Sequence, residues 1–461
     1  MPGALLTDLY ELNMAASYLR RDMTEDATFS LFVRRLPPSR GFLVAAGIND
    51  CVNWLEQFSF EPADLNYLAS LGFDYDTLDG FAALRFTGNV EAVPEGRIVV
   101  ANEPILEVTA PIAQAQLIET YLLNQVTFQT TLATKAARCQ IAAAGKIELV
   151  DFGFRRTQGI EAGLAAARLS AMVGFSATSN VEAAHRYRLQ PAGTMAHSYI
   201  EAFPTEMDAF TAFAEDLPAR TTFLVDTYET LKGVRHAIEV IRRLGLEQSA
   251  GVRLDSGDLA QLAFDSRRLL DQAGLTEVRI FASGGLDEHD LARFVAQDAP
   301  IDAAGVGTRM GVSADAPYLD SAYKLVAYNG RPVTKVSVAK ATLPGPKQVF
   351  RSHAVTDWIG LRDEPAPAGA EKLLQPAMRG GHRSRLTEPL SAARARFEAD
   401  LDQLPRSAQD LNHPSAPVAR ITPALQTLTT QVQAEARRRQ DRATPLTRHP
   451  ARASKAQATT R

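Results

Sequence analysis

Cysteine is almost missing from this chain. Cys51 and Cys139 are its two examples in 461 residues, far apart and without a CxxC or Cys/His spacing, which argues against both a disulfide framework and a zinc site. A reducing, cytoplasmic setting follows as the expectation. No run of about 18 apolar residues occurs, and the opening MPGALLTDLYELN carries acids where a secretory signal has a basic segment, so neither a membrane span nor a leader is expected. Charge of one sign is also scarce. A net charge of -4 gives no broad attraction to nucleic acid or to an anionic membrane. What is present is ordinary for a globular enzyme-sized chain: hydrophobic residues make up 46% and charged residues 22%. The length exceeds what one core sustains and predicts two domains with a tail.

From residue 146 to 310, short apolar and β-branched runs end in polar or glycine-rich residues: KIELVDFGFRR, VGFSATSN, AGTMAHSY, TTFLVDTY, GVRLDSGD, VRIFASGG and AAGVGTRMG. They recur roughly every 20 to 30 residues, the length of a βα unit. Helix-like stretches lie between them, among them IEAGLAAARLSAM, LKGVRHAIEVIRRLG and LAQLAFDSRRLLDQAG. This alternation predicts a parallel sheet with helices outside. The fold class expected is α/β: an irregular (β/α) TIM-like barrel of seven such strands, joined to an N-terminal α+β domain completed by C-terminal segments. The boundaries predicted are 1–110 for the α+β domain, 111–350 for a helical lead-in and the barrel, 351–440 for a strand and helix segment packing on the N-terminal domain, and 441–461 for a disordered basic tail.

Active sites of barrels lie at the C-terminal ends of the strands. Arg155, Asn180, His197, Asp226, Asp255, Gly284, Gly285, Gly305 and Gly307 all fall there. Arg253 alternates with Val252 and Leu254 before the acids of DSGD; it can hold a planar carboxylate through two parallel hydrogen bonds, or form a structural pair with Asp255. Asp255 can accept bonds from ribose hydroxyls or support a hydrated magnesium ion. Ser283, Gly284 and Gly285, then Gly305, Gly307 and Thr308, form two adjacent glycine-rich turns suited to an anion; βα turns that simply need glycine are the rival reading. Of the adjacent Arg155 and Arg156, alternation along a strand lets one face the mouth, and Arg155 is favoured for phosphate over a solvated pair on the rim. Asp8 and Glu11 are placed for a capping box on LYELNMAASYLR, with Leu9, Leu12, Ala16 and Leu19 as its buried stripe. His197 can be a satisfied core histidine, a general base, a metal ligand or a nucleophile, and GTMAHSY reads as a strand.

LLTDLYELNMAASYL, VDFGFRRTQG, GFSATSNV, GTMAHSYIEAF, VDTYETLKG, VRLDSGDL, SGGLDE and GVGTRMG, in that order and spacing, resemble the nicotinate phosphoribosyltransferase family. The likeness runs from residue 5 to about residue 420. It implies that His197 is the histidine phosphorylated by ATP, that Tyr10, Thr194 and Arg253 contact nicotinate, and that Thr308 lies in the phosphoribosyl pyrophosphate site. It also implies a cytoplasmic homodimer in which Tyr10 reaches the mouth of the partner subunit. The glycine turns would then grip the 5-phosphate, and magnesium would arrive on the pyrophosphate, with Asp255 as its one candidate contact on the protein. Asp226 is a candidate to orient His197. No GxxxxGK[ST] loop is present, so ATP would use the same phosphate grip. Displacement of pyrophosphate from ribose by a pyridine nitrogen needs positioning and charge stabilisation more than a protein nucleophile. The competing readings are a nicotinamide or quinolinate phosphoribosyltransferase and a non-catalytic metabolite-binding paralogue.

Overall fold

The computed structural model describes residues 3–336 and 342–442. Six of the predicted runs form one parallel sheet, in the order Ala177–Thr178, Glu148–Asp151, Ala303–Val306, Arg279–Ala282, Gly251–Leu254 and Thr222–Leu224. Two of its inner runs, GVRL and AAGV, are buried at every position, as strands covered on both faces must be. Helices Ile160–Met172, Thr230–Leu244, Leu259–Gln272 and Glu288–Ala296 bury their apolar stripes in the same core. After three of these strands an acid, Glu229, Asp258 or Asp287, caps the helix that follows. Asp258 accepts from the Gln261 N–H at 3.3 Å and Asp287 from the His289 and Asp290 N–H groups at 3.0 and 3.3 Å. The chain is therefore α/β with its strand ends gathered on one side.

The seventh run departs from expectation. GTMAHSY alternates like a strand, yet the isolated bridge here, Thr178 to Pro191, precedes it, and after an extended Ala196 the chain turns into the helix His197–Glu201. Its carbonyls explain the failure: Met195 O accepts from the Arg253 guanidinium at 3.3 Å instead of from a neighbouring strand.

A seven-stranded sheet lies alongside, in the order Arg331–Pro332, Ser321–Tyr328, Asp26–Val33, Pro104–Pro111, Asn89–Ala92, Gln375–Arg379 and His382–Arg383. Segments from the beginning, middle and end of the chain thus build one layer. Three helices there, Ile48–Leu55, Pro62–Ser70 and Tyr75–Ala83, are additional to the one read from sequence. The helix that was read, Leu9–Arg20, buries Leu12 and Ala16 but leaves Leu9 54% exposed. The capping box does not form: Asp8 makes no side-chain cap, while Thr120 Oγ1 donates to both Asp8 and Glu11, at 2.8 and 2.7 Å. One hydroxyl from a neighbouring helix has taken the carboxylates that the backbone would have used. The basic stretch 441–461 lies outside the described residues after Arg442, where helix Pro423–Arg442 ends.

Where the C-terminal segment meets the first sheets, Arg351 holds Asp357 through two bonds at 2.9 and 2.6 Å and Asp400 at 2.9 Å. Glu103, fully buried beside Asp357, keeps one oxygen without a partner. Burial, then the neighbouring Asp357 charge, push its carboxyl far above the ordinary range. At acid pH both folded and unfolded chains hold this proton. As pH rises through the normal carboxyl range the unfolded chain ionises first, so stability is lost until the raised folded value is passed. Glu103→Gln is expected to flatten that loss and raise Tm at pH 8 by about 2 °C or more, read from thermal unfolding between pH 5 and pH 8. An unchanged pH dependence would remove Glu103 as its source.

Candidate active site

Arg253 is the organising side chain. It is the penultimate residue of the buried strand Gly251–Leu254, and its guanidinium rests over the Phe152 ring, 5.6 Å from the centroid. Nε donates to Ser283 Oγ at 2.8 Å, Nη1 to Thr194 Oγ1 at 2.9 Å and to Met195 O, and Nη2 to Asp255 Oδ1 at 2.7 Å. One of its five N–H groups donates to no described residue. Thus the predicted Arg253, Thr194, Ser283 and Asp255 do come together, and the Arg253 fork is already committed to the protein at most of its positions.

Asp255 receives Ser283 as well as Arg253, and its second oxygen stands 3.8 Å from His197 Nε2. Burial alone would raise its pKa; the bonds from Ser283 and Arg253 and the Arg253 charge outweigh this and hold the carboxyl below its ordinary value. It is an anion at neutral pH.

His197 is oriented differently from expectation. Thr227 Oγ1, not Asp226, lies 3.1 Å from Nδ1. Asp226 instead accepts from the Asp255 N–H at 3.0 Å and from Ser256 Oγ at 2.6 Å, so it shapes the DSGD turn. The expectation failed by one residue: past the strand end at Leu224 the Asp226 carboxylate is taken by the Asp255 N–H and Ser256, and the next side chain, Thr227, meets the imidazole. Asn180, also at a strand end, caps helix Val181–Tyr187 by accepting from the Ala183 N–H at 3.1 Å.

The glycines divide by role. Gly284 has φ +106°, and a Cβ there would stand 1.9 Å from Asp255 O. Gly285 has φ +74° with open space around it, and the N–H groups of both glycines donate to no described residue. They border a cavity of about 500 Å³ that Gly257, Asp258, Arg293 and Arg309 also line. Gly305 and Gly307 are buried: the Phe152 ring would lie 2.5 Å from a Cβ at Gly305, and Phe152 O 2.4 Å from one at Gly307. Packing accounts for these two, while Thr308 beyond them is exposed at the start of helix Thr308–Gly311. Arg155 and Arg156 are both exposed in the 3-10 turn Phe154–Arg156, past the strand end at Asp151, so strand alternation does not choose between them. Tyr10 is 47% exposed on a helix that packs against helices Ile112–Leu117 and Tyr75–Ala83, away from the parallel sheet.

Thr227, Phe152 and Arg309 were not legible as site residues. Arg309 Nη1 pairs with Asp287 at 2.7 Å and lies 3.5 Å from Asp290, tying the two glycine loops together at the surface. A threonine after Asp226 and an arginine after Thr308 fall at strand ends, which is the signal that would have included them. Among the described residues, no group of three or more His, Cys, Asp or Glu is placed to hold a metal ion, and no helix is long and apolar enough to cross a membrane.

The nicotinate phosphoribosyltransferase N-terminal domain matches residues 5–127, and the nicotinate phosphoribosyltransferase family domain matches residues 147–345. A nicotinate phosphoribosyltransferase of Mycobacterium tuberculosis is 48% identical, with 90% of this chain and 91% of that one aligned. The Bacillus subtilis nicotinate phosphoribosyltransferase is 43% identical over 78% of this chain and 76% of its own. Among solved structures, human nicotinic acid phosphoribosyltransferase superposes with a TM-score of 0.83 at 30% identity, covering 92% of this chain and 99% of that one. The second matched segment contains every strand-end residue gathered around Arg253, so sequence, fold and site agree that this chain belongs to the nicotinate phosphoribosyltransferase family.

Proposed function

We propose that the chain joins nicotinate to phosphoribosyl pyrophosphate with ATP and water, forming nicotinate mononucleotide, pyrophosphate, ADP and phosphate, the entry of nicotinate into NAD synthesis. The observation that carries this reading is the Arg253 fork at the strand ends, which leaves one N–H open on Nη2, the nitrogen that holds Asp255, across from the Nη1 that holds Thr194 and Met195. A pyridine carboxylate would bind there through a charge-assisted hydrogen bond. Nicotinamide offers no anion to that position. Quinolinate, with two carboxylates, would require a second cation.

The ring nitrogen of nicotinate brings its own lone pair, so no side chain has to generate the nucleophile. Asp255, held ionised, would meet the ribose hydroxyls and the positive charge that builds at the anomeric carbon. Gly284 and Gly285, with free N–H groups over the cavity, would take the 5-phosphate, with Thr308 and Arg155 as further phosphate contacts. His197, fixed at Nδ1 by Thr227, has Nε2 open toward Asp255 and would carry phosphate from ATP. A magnesium ion would neutralise pyrophosphate charge, with diphosphate and water supplying most of its oxygens and Asp255 Oδ2 the protein's share.

The parallel sheet reads as a barrel closed irregularly by residues 191–196 alongside Thr178. The barrel domain would follow the domain 1–110, and the strand Ser321–Tyr328 and the 351–440 segment would return to the first sheet, as their pairing supports. Tyr10, with Leu6 and Leu9 exposed beside it, would reach the mouth of a second copy in a cytoplasmic homodimer. Assay of nicotinate, nicotinamide and quinolinate with phosphoribosyl pyrophosphate and ATP tests the proposal: nicotinate alone should be turned over efficiently. Inert nicotinate would overturn it.

A further inference from the structure

Behind the glycine loops lies a buried charge cluster that the proposed chemistry does not use. Lys135 and Arg138 project from one side of helix Glu119–Ala143, three residues apart. Glu288, fully buried, opens the helix that follows the Gly284-Gly285 loop. Its oxygens take Lys135 Nζ at 2.5 Å and Arg138 Nε at 3.0 Å. Lys135 Nζ also lies 3.1 Å from Asp315 Oδ1, just beyond the helix Thr308–Gly311. Asp315 is gripped in turn by Arg40, through Nε and Nη2 at 3.1 Å each, and by Ser39 Oγ at 3.0 Å. The Lys135 ammonium therefore ties the loop after Ala282 to the loop after Val306 at close range, while Arg138 Nε reaches the same Asp315 only at 3.9 Å.

We infer that Lys135 is a positioning residue for the phosphate grip: its bridge from Glu288 to Asp315 sets the separation of the two loops that meet the phosphoribosyl group. The inference rests on the proposed placement of the 5-phosphate. The bridge at the surface, Arg309 to Asp287, has a half-exposed arginine and is weak on that account. The rear bridge is different. Glu288 is fully buried and Asp315 largely so, and removal of the ammonium leaves each with its arginine alone, Arg138 and Arg40, and with nothing close that joins the two. Displacement of a binding loop by about 1 Å is enough to cost tenfold or more in the step it supports.

The test is steady-state kinetics of the full chain carrying Lys135→Met, with Thr308→Ala as a probe of the loop itself and Glu288→Gln as a milder break of the same bridge. Lys135→Met should raise KM for phosphoribosyl pyrophosphate about tenfold or more, with KM for nicotinate within about twofold of the parent. Glu288→Gln should shift in the same direction by less, and it keeps the test open if the methionine variant does not fold. A raised KM for phosphoribosyl pyrophosphate in Thr308→Ala, with both bridge variants unchanged, overturns the inference and leaves the phosphate site standing. Unchanged values in all three variants reject the phosphate site and the inference together. A fall in kcat alone, or equal rises for both substrates, marks the cluster as merely structural.

Discussion

Arg253→Lys is expected to lower kcat/KM for nicotinate by about two to three orders of magnitude and to narrow the preference for nicotinate over nicotinamide. A guanidinium reaches Ser283 on one side and Thr194 and Met195 on the other while holding Asp255. An ammonium cannot span that separation; it keeps one or two of these partners and loses the planar fork. Each hydrogen bond to a charged group is worth about 1.5–3 kcal/mol, so two lost bonds account for the size of the effect. Asp255 suffers as well, since its pKa is held down partly by the Arg253 bond and charge. Kinetics with both pyridines check this. A lysine variant that keeps the parent preference would detach Arg253 from substrate choice.

The second large effect falls on energy coupling. In His197→Ala, phosphate from γ-labelled ATP should no longer enter the protein, ATP should cease to stimulate transfer at limiting phosphoribosyl pyrophosphate, and kcat/KM for that substrate should drop about a hundredfold. The imidazole has no apolar packing role that alanine would forfeit at great cost: it is partly exposed, bonded at Nδ1 to Thr227 and facing Asp255 with Nε2. Transfer at a residual rate should survive, because Arg253, Asp255 and the glycine loop do not depend on it. Label incorporation unchanged by the substitution would transfer the phosphate carrier to another residue.

The helices that flank the parallel sheet were legible because each carries a 3.6-residue apolar period, and IEAGLAAARLSAM matches Ile160–Met172 residue for residue, whereas the short helices Ile48–Leu55, Pro62–Ser70 and Tyr75–Ala83 were not. Six of seven strands were legible for a similar reason: apolar runs closed by acids or glycines mark where a strand must end and a helix be capped. GTMAHSY failed since alternation says nothing about where carbonyl bonds go, and Arg253 claims Met195 O from a distance in sequence. The site divides in the same way. Arg253 and Asp255 stand out as charges in an apolar run, whereas Thr227 and Phe152 have ordinary neighbours and gain meaning once folding brings His197 and Arg253 onto them. The glycines show the converse. GVG and SGG read alike, yet Gly284 and Gly285 keep open N–H groups while Gly305 and Gly307 make room for Phe152.

That last contact has a bearing on how such an enzyme can diversify. The ring of Phe152 lies between Arg253 and the empty side of Gly305, and it stacks on Phe281 at 5.5 Å. Any side chain at 305 evicts the ring, and any smaller residue at 152 leaves the guanidinium without its floor. Positions 152 and 305 are therefore coupled sterically, and a pocket reshaped for a different acid would need both changed together.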